Sequence, residues 1–164
     1  MYIYNRSITI SMDTMDVKGQ ASVEYLLLAL VFLIIIGSVT VPLISQGIND
    51  SLDVSHSSDA SAAINTIANA VGVVYSNGPG SVRTINVYFS NGGSMDYSSA
   101  NSTIFMPVSQ YMGNGTKIID ANVPIAISFS PSDPITINNK TNYNATVTWP
   151  IGTNTINVAM AHTT

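Results

Sequence analysis

The stretch that decides the fold of this chain is residues 25–41, which read YLLLALVFLIIIGSVTV. No residue from Tyr25 to Asn49 carries a charge. Since a helix of about 20 apolar residues spans the hydrocarbon core of a bilayer, this stretch predicts a helix that enters a membrane or an equally apolar environment. An ordinary membrane anchor is one interpretation. A cleaved secretory signal is another, although no small-x-small cleavage site follows a short apolar core.

The pattern changes after the apolar stretch. Residues 45–59 are polar, and apolar residues then recur at spacings of three and four, at Ala60, Ala63, Ile64, Ile67, Ala68, Val71, Val74 and Tyr75. This spacing is typical of one buried helix face. We therefore expect one long helix over residues 20–76, with a hydrophobic part at 20–44 and an amphipathic part at 45–76. Pro42 and Gly47–Asp50 are the positions where it is expected to kink or break, and the glycines and proline that follow Asn77 end it.

Residues 77–164 are expected to form a β-rich head. Apolar residues alternate with polar ones in four segments: Ile85, Val87 and Phe89; Ile125, Ile127 and Phe129; Tyr143, Ala145, Val147 and Trp149; Ile156, Val158 and Met160. Turn-rich stretches separate these segments. The sequence thus predicts an α+β fold, in which a small antiparallel sheet or sandwich packs one face on the apolar residues of 60–75.

Composition excludes several classes of function. Charged residues make up 9% of the chain, the net charge is −4, and the five Lys and Arg residues form no cluster, so a nucleic-acid partner is not expected. The chain has no cysteine, which removes disulfides and thiolate metal sites.

Candidate catalytic and metal-binding residues are few. His56 and His162 show no metal-ligand spacing and are expected to be solvated. The polar stretch holds Asp50, Asp53 and Asp59 without the glycine-containing loop of a calcium site, so we expect these three on a solvated helix face. Trp149 is expected to anchor the core of the sheet. The sequence therefore predicts a protein that is not an enzyme and holds no cofactor or metal.

Directly before the apolar stretch stands Lys18-Gly19-Gln20-Ala21-Ser22-Val23-Glu24-Tyr25. This segment resembles the class III signal peptide of archaeal type IV pilins, with Gln20, Ser22 and Glu24 supplying the Q-x-S-x-E pattern. The resemblance covers this motif and the apolar helix, whereas the rest of the chain matches the family only in architecture. Bacterial pilins begin similarly, so an archaeal origin is itself an inference from the motif.

The resemblance implies a specific order of processing and assembly. A prepilin peptidase would remove residues 1–19 by cutting between Gly19 and Gln20. A membrane assembly platform would then bundle the N-terminal helices into a helical homopolymer, which makes the chain a major pilin of an extracellular adhesion filament. The positions of the basic residues support this orientation, because Arg6 and Lys18 precede the apolar stretch and the next basic residue is Arg83. Such asymmetry places the leader in the cytoplasm and the head outside, with the precursor in the cytoplasmic membrane.

Glu24 is the only charged residue between Lys18 and Asp50. It is either a first-turn carboxylate favoured by the helix dipole or a group buried in a filament core, where it needs a partner. The resemblance implies that this partner is the α-amino group of Gln20 in a neighbouring subunit. An N-terminal Gln can cyclise to a neutral lactam, in which case Ser22, backbone amides or a proton would have to satisfy Glu24.

Five N-x-S/T sequons follow the predicted leader, at Asn49, Asn101, Asn114, Asn139 and Asn144. Such acceptors require exposure and export. We expect Asn101, Asn114 and Asn139 in loops and Asn144 on the polar face of a strand, whereas Asn49 lies on the helix. A sixth sequon at Asn5 would be lost with the leader.

Three other functions remain open at this point. A minor pilin or pseudopilin would share the motif and the helix. An archaellin-like subunit is the second alternative, although the Q-x-S-x-E pattern is that of adhesion pilins. A membrane-anchored binding protein would instead keep residues 1–19 and stay monomeric.

Overall fold

The computed structural model of the chain describes residues 16–110 and 115–163, with side chains from Ser22 onward. Its first element is helix α1, Asp16–Asn77, of 62 residues. The helix therefore begins four positions before the predicted start. It is continuous through Pro42 and Gly47–Asp50, so no break occurs at either position. The chain divides into two compact units, Met1–Ser45 and Gln46–Thr164.

Among its described residues, the second unit adds eight strands to the last part of α1. They are β1 Val82–Phe89, β2 Gly93–Ser98, β3 Thr103–Ser109, β4 Thr116–Asn122, β5 Ala126–Ser130, β6 Ile135–Ile137, β7 Thr141–Thr148 and β8 Thr155–His162. Sheet 1 has the order β1-β7-β8-β5, and sheet 2 has the order β4-β3-β2-β6. This arrangement confirms the predicted α+β class, a long N-terminal apolar helix followed by a β-rich head.

The pairing is antiparallel except at one place. Strands β5 and β8 pair in parallel, with Ile127 opposite Ile156 and Phe129 opposite Val158. A parallel pair needs a long connection rather than a tight turn, and here β6 of sheet 2 and β7 of sheet 1 lie in that connection. Sheet 1 is therefore mixed, where the alternation alone predicted an antiparallel sheet.

A single hydrophobic core joins α1 to both sheets. Its helical members include Ile64, Ile67 and Val71, each 0% exposed. One surface depression is lined by α1 and β4, and another by α1 and β1. The helix therefore lies beside one edge strand of each sheet, β4 in sheet 2 and β1 in sheet 1. The alternation predicted for β1, β5, β7 and β8 is confirmed, since the inward residues of these strands are buried or packed against the core.

The C-terminal end of α1 is fixed by specific contacts. Gly78 has φ +87, a left-handed conformation that favours glycine at the end of a helix, and its N–H donates to the Val74 carbonyl at 3.2 Å. The Ser81 hydroxyl donates to the same carbonyl at 2.8 Å. The Trp149 ring stacks on Tyr75, with ring centroids 5.5 Å apart. Trp149 thus packs against the core at the helix end rather than in the middle of the sheet.

Candidate functional site

The most unusual surface of the molecule is the apolar part of α1. Every large apolar side chain from Val23 to Ile48 is at least 49% exposed, and Tyr25 reaches 75%. Burying one such side chain is worth about 1.5–3 kcal/mol, so this surface has a strong tendency to leave water. By length and composition the helix is able to cross a membrane. We define residues 22–45 as the apolar segment.

Glu24 lies near the start of the apolar segment and is exposed. Together with Leu27, Leu28 and Val31 it lines a shallow depression on the helix surface. These four residues follow the i, i+3, i+4, i+7 spacing that places side chains on one helix face. The carboxylate therefore stands at the end of a strip that is otherwise apolar.

The predicted cleavage motif lies at the beginning of α1. The backbone of Gly19 and Gln20 is helical, the Gln20 side chain lies outside the described residues, and Ser22 is exposed. Because α1 starts at Asp16, Glu24 stands more than two turns inside the helix of the uncut chain. Removing residues 1–19 would bring the free end of the helix to within about one turn of Glu24, where the helix dipole favours a carboxylate.

Pro42 weakens the hydrogen bonding inside the apolar segment. Proline has no backbone N–H, so the carbonyl of Ser38 lacks its usual donor four residues later. The Ser38 hydroxyl does not replace that donor, because it donates to the Ile35 carbonyl at 2.9 Å. We expect the backbone around these residues to be the least stable part of the segment.

The sequons differ in how the fold engages them. Asn101 lies in the turn between β2 and β3 and is exposed, and Asn139 lies in the turn before β7, as predicted. Asn144 is exposed on β7, as predicted, and its side-chain carbonyl accepts a hydrogen bond from Asn86 at 3.1 Å. The Asn139 side-chain carbonyl accepts one from the Gly92 backbone N–H.

Two sequons give less information. Asn49 is half-buried within α1. Asn114 lies outside the described residues.

The polar residues considered for metal or catalytic roles do not come together. Among the described residues, no group of three His, Asp or Glu side chains could hold a metal ion. Asp50 is exposed, but Asp53 is only 9% exposed, so its expected solvation is wrong. The reason is spacing: Asp53 and Ser57 occupy the positions that continue the buried stripe toward the N-terminus. The exposed His162 places its ring edge-to-face with Tyr143 at 5.9 Å.

Sequence reasoning missed a second surface feature, on the outer face of sheet 2. Phe105 and Ile118 lie there beside Asp120 in a depression at the surface of the head. The strands that carry them were not individually predicted, so their register and shared face were hidden. Alternation around Ile104, Met106 and Val108 was the signal that could have found β3.

Comparison with known proteins assigns the chain to no family. No protein-family model, no curated protein and no solved structure matches the chain. Its class is therefore defined by its own architecture, in which an exposed apolar helix segment, able by length and composition to cross a membrane, precedes a β-rich head with a separate core.

Proposed function

We propose that the chain is the structural subunit, a major pilin, of an extracellular type IV pilus-like adhesion filament. The precursor is held in the cytoplasmic membrane with its head outside, residues 1–19 are removed, and the apolar segments bundle into a helical homopolymer. The observation that carries this proposal is the exposure of every large apolar side chain from Tyr25 to Ile48, directly after the motif from Lys18 to Glu24.

The energetics favour assembly over a free monomer. At about 1.5–3 kcal/mol for each buried Leu, Ile, Val or Phe, the apolar segment is not stable in water. Lipid surrounds it in the membrane, and outside the membrane other copies of the same segment supply an apolar environment. The head contains its own core, so it has no need to refold when the subunit moves from one environment to the other.

Cleavage has a physical consequence for the same segment. The new terminus at Gln20 would place a free amine and the unpaired N–H groups of a helix start close to Glu24. Both can stabilise a carboxylate that becomes surrounded by apolar neighbours. Leader removal would thus prepare Glu24 for burial in the bundle.

Other functions predict different products. A minor pilin or pseudopilin would be cleaved in the same way but would be scarce or restricted to short assemblies, and an archaellin-like subunit would build a motility filament. An uncleaved membrane-anchored binding protein would keep residues 1–19 and form no filament.

The test is substitution of Gly19 by Val, with mass spectrometry of the N-terminus and electron microscopy of the cell surface. The branched side chain would obstruct the backbone at the predicted cleavage bond. We expect full-length precursor in the membrane and no filaments, whereas the wild-type chain yields a protein that begins at Gln20 and abundant filaments.

Gly47→Ala is the matched control, because a methyl group there meets no atom within 4 Å and lies far from the cleavage bond in sequence. It should be processed normally. Normal processing of Gly19→Val, or a wild-type surface protein that retains residues 1–19, would refute the pilin proposal and leave the membrane-anchored alternative.

A further inference from the structure

Sheet 2 carries a depression on the side that faces away from the core. It is lined by Ser98, Asn101, Thr103, Phe105, Ile118 and Asp120. The register explains this grouping, since Phe105 pairs with Asp120 and Thr103 pairs with Ser98. The lining residues therefore come from three adjacent strands and from the β2–β3 turn.

The lining of this depression combines apolar and polar side chains. Phe105 is half-buried, and Ile118 on the edge strand β4 is 63% exposed. The Asp120 carboxylate and the Ser98 hydroxyl offer hydrogen-bonding groups in the same depression. The depression thus supplies the two kinds of contact, apolar and hydrogen-bonding, that binding pockets combine.

Asn101 stands at the end of this depression, in the four-residue connection between β2 and β3. It is exposed, and within the part of the chain that the structure describes no hydrogen bond engages its side chain. Asn139 and Asn144 are exposed as well, and the hydrogen bonds that they accept engage only the side-chain carbonyl, not the amide nitrogen that carries a glycan. What distinguishes Asn101 among the described sequons is its place in this depression beside Phe105.

We propose that a glycan on Asn101 folds back over sheet 2, so that its first sugar rings cover Phe105 and fill this depression. The occupant is then carbohydrate attached to the same chain. The proposal rests on the export of the head that the proposed function requires.

Three observations favour this occupant. The sequon residues Asn101 and Thr103 line the same depression as Phe105. Thr103 and Phe105 lie two apart on β3, about 7 Å from each other on the same face of the strand, so the ring is within reach of the first sugars of a glycan at the adjoining turn. The face of an aromatic ring is electron-rich and attracts the C–H edges of a sugar ring, while Asp120 and Ser98 can bind sugar hydroxyls.

A double-mutant cycle on the exported, detergent-solubilised protein tests the proposal. Glycopeptide mass spectrometry first measures occupancy at Asn101. Phe105→Leu is then introduced with and without Asn101→Gln, and the Tm of the head is followed by the fluorescence of Trp149, the only tryptophan. With the glycan present, Phe105→Leu should lower the Tm by about 3 °C more than it does in the Asn101→Gln background, since aromatic stacking is a small term for a domain of this size.

Two further variants separate the glycan contact from general destabilisation. Phe105→Tyr keeps the ring and should keep the glycan-dependent difference. Tyr75→Leu removes a ring that stacks on Trp149, and it should lower the Tm equally in both backgrounds.

An empty Asn101 on exported protein would overturn the proposal, as would equal effects of Phe105→Leu in both backgrounds. Neither result would affect the filament proposal. A chain that stays inside the cell, protected from protease added to intact cells, would contradict both.

Discussion

The two parts of α1 face different environments although they belong to the same helix. Residues 22–45 expose their apolar side chains on all sides, whereas residues 53–74 bury one stripe and expose the rest. In the second part, Ile64, Ile67 and Val71 are covered by two sheets. A helix that is apolar all round must be covered by something other than one folded domain. The comparison therefore separates a stripe that stabilises the head from a surface available for lipid or other subunits.

The largest expected effect concerns Glu24 and filament assembly. Glu24→Ala removes the only charge between Lys18 and Asp50 and leaves the stripe of residues 53–74 untouched. We expect a processed, folded, membrane-held protein that gives few or no filaments by electron microscopy. Asp50→Ala, at an exposed position, is the matched control and should assemble normally.

Glu24→Gln shows how the carboxylate acts. If Gln20 is cyclised and Glu24 works as a neutral hydrogen-bonding group, the amide should retain much of the filament yield. If a charged amine is its partner, Gln should be nearly as damaging as Ala. Wild-type yield from both variants would remove the assembly role and leave a solvated first-turn residue.

A matched pair of truncations tests the two parts of α1 directly. Ile67→Ala should lower the free energy of unfolding of the head by about 2–5 kcal/mol, because it opens a cavity at a side chain that is 0% exposed. Ile35→Ala, at a side chain that is 53% exposed, should change it by no more than about 0.5 kcal/mol. Denaturant unfolding of the solubilised chain measures both. Equal costs would mean that the apolar segment contributes to the core of the head.

Pro42→Ala should strengthen the apolar segment, because it supplies the missing donor to the Ser38 carbonyl. The local gain is up to about 3 kcal/mol, and amide hydrogen exchange near residues 38–43 should slow accordingly in micelles. Gly47→Ala should give a smaller gain of about 1 kcal/mol. Unchanged exchange in Pro42→Ala would show that the Ser38 carbonyl is already satisfied.

The smallest expected effect is at the C-terminal end of the second part. Trp149→Phe keeps an aromatic ring against Tyr75 but removes the indole N–H that donates to the Thr153 carbonyl at 2.9 Å. The cost should be about 1 kcal/mol in thermal unfolding followed by circular dichroism. Trp149→Ala also removes the stack and should cost more. If the two variants were equally stable, the ring stacking would contribute nothing to the end of the helix.

The sequence predicted most of this architecture because its strongest signals are local. The uncharged run from Tyr25 and the stripe from Ala60 predicted one long helix, and clean alternation predicted β1, β5, β7 and β8. The parallel pairing of β5 with β8 was not predictable, because it depends on contacts between distant segments. The strands of sheet 2 were not predicted individually, because β3 contains Pro107 and β6 has only three residues.

The candidate site was predicted unevenly. Glu24 and the apolar segment follow from sequence alone, because charge and hydropathy are properties of residue types. The burial of Asp53 was not predicted, because a carboxylate is normally expected to be solvated. Only the folded structure shows that its position in the stripe is covered. The depression around Phe105 was also missed, because it depends on which residues of three strands share a face.

The most direct test asks what covers residues 22–45 outside the cell. The chain has no cysteine, so a single thiol can be introduced by Leu33→Cys in the apolar segment or by Ile151→Cys in the head, at side chains 68% and 83% exposed in the single chain. Purified filaments are treated with a water-soluble maleimide. We predict that the thiol at position 33 resists labelling, while the thiol at position 151 labels fully. Equal labelling at both positions, or a protein found only in membranes, would contradict assembly through the apolar segment.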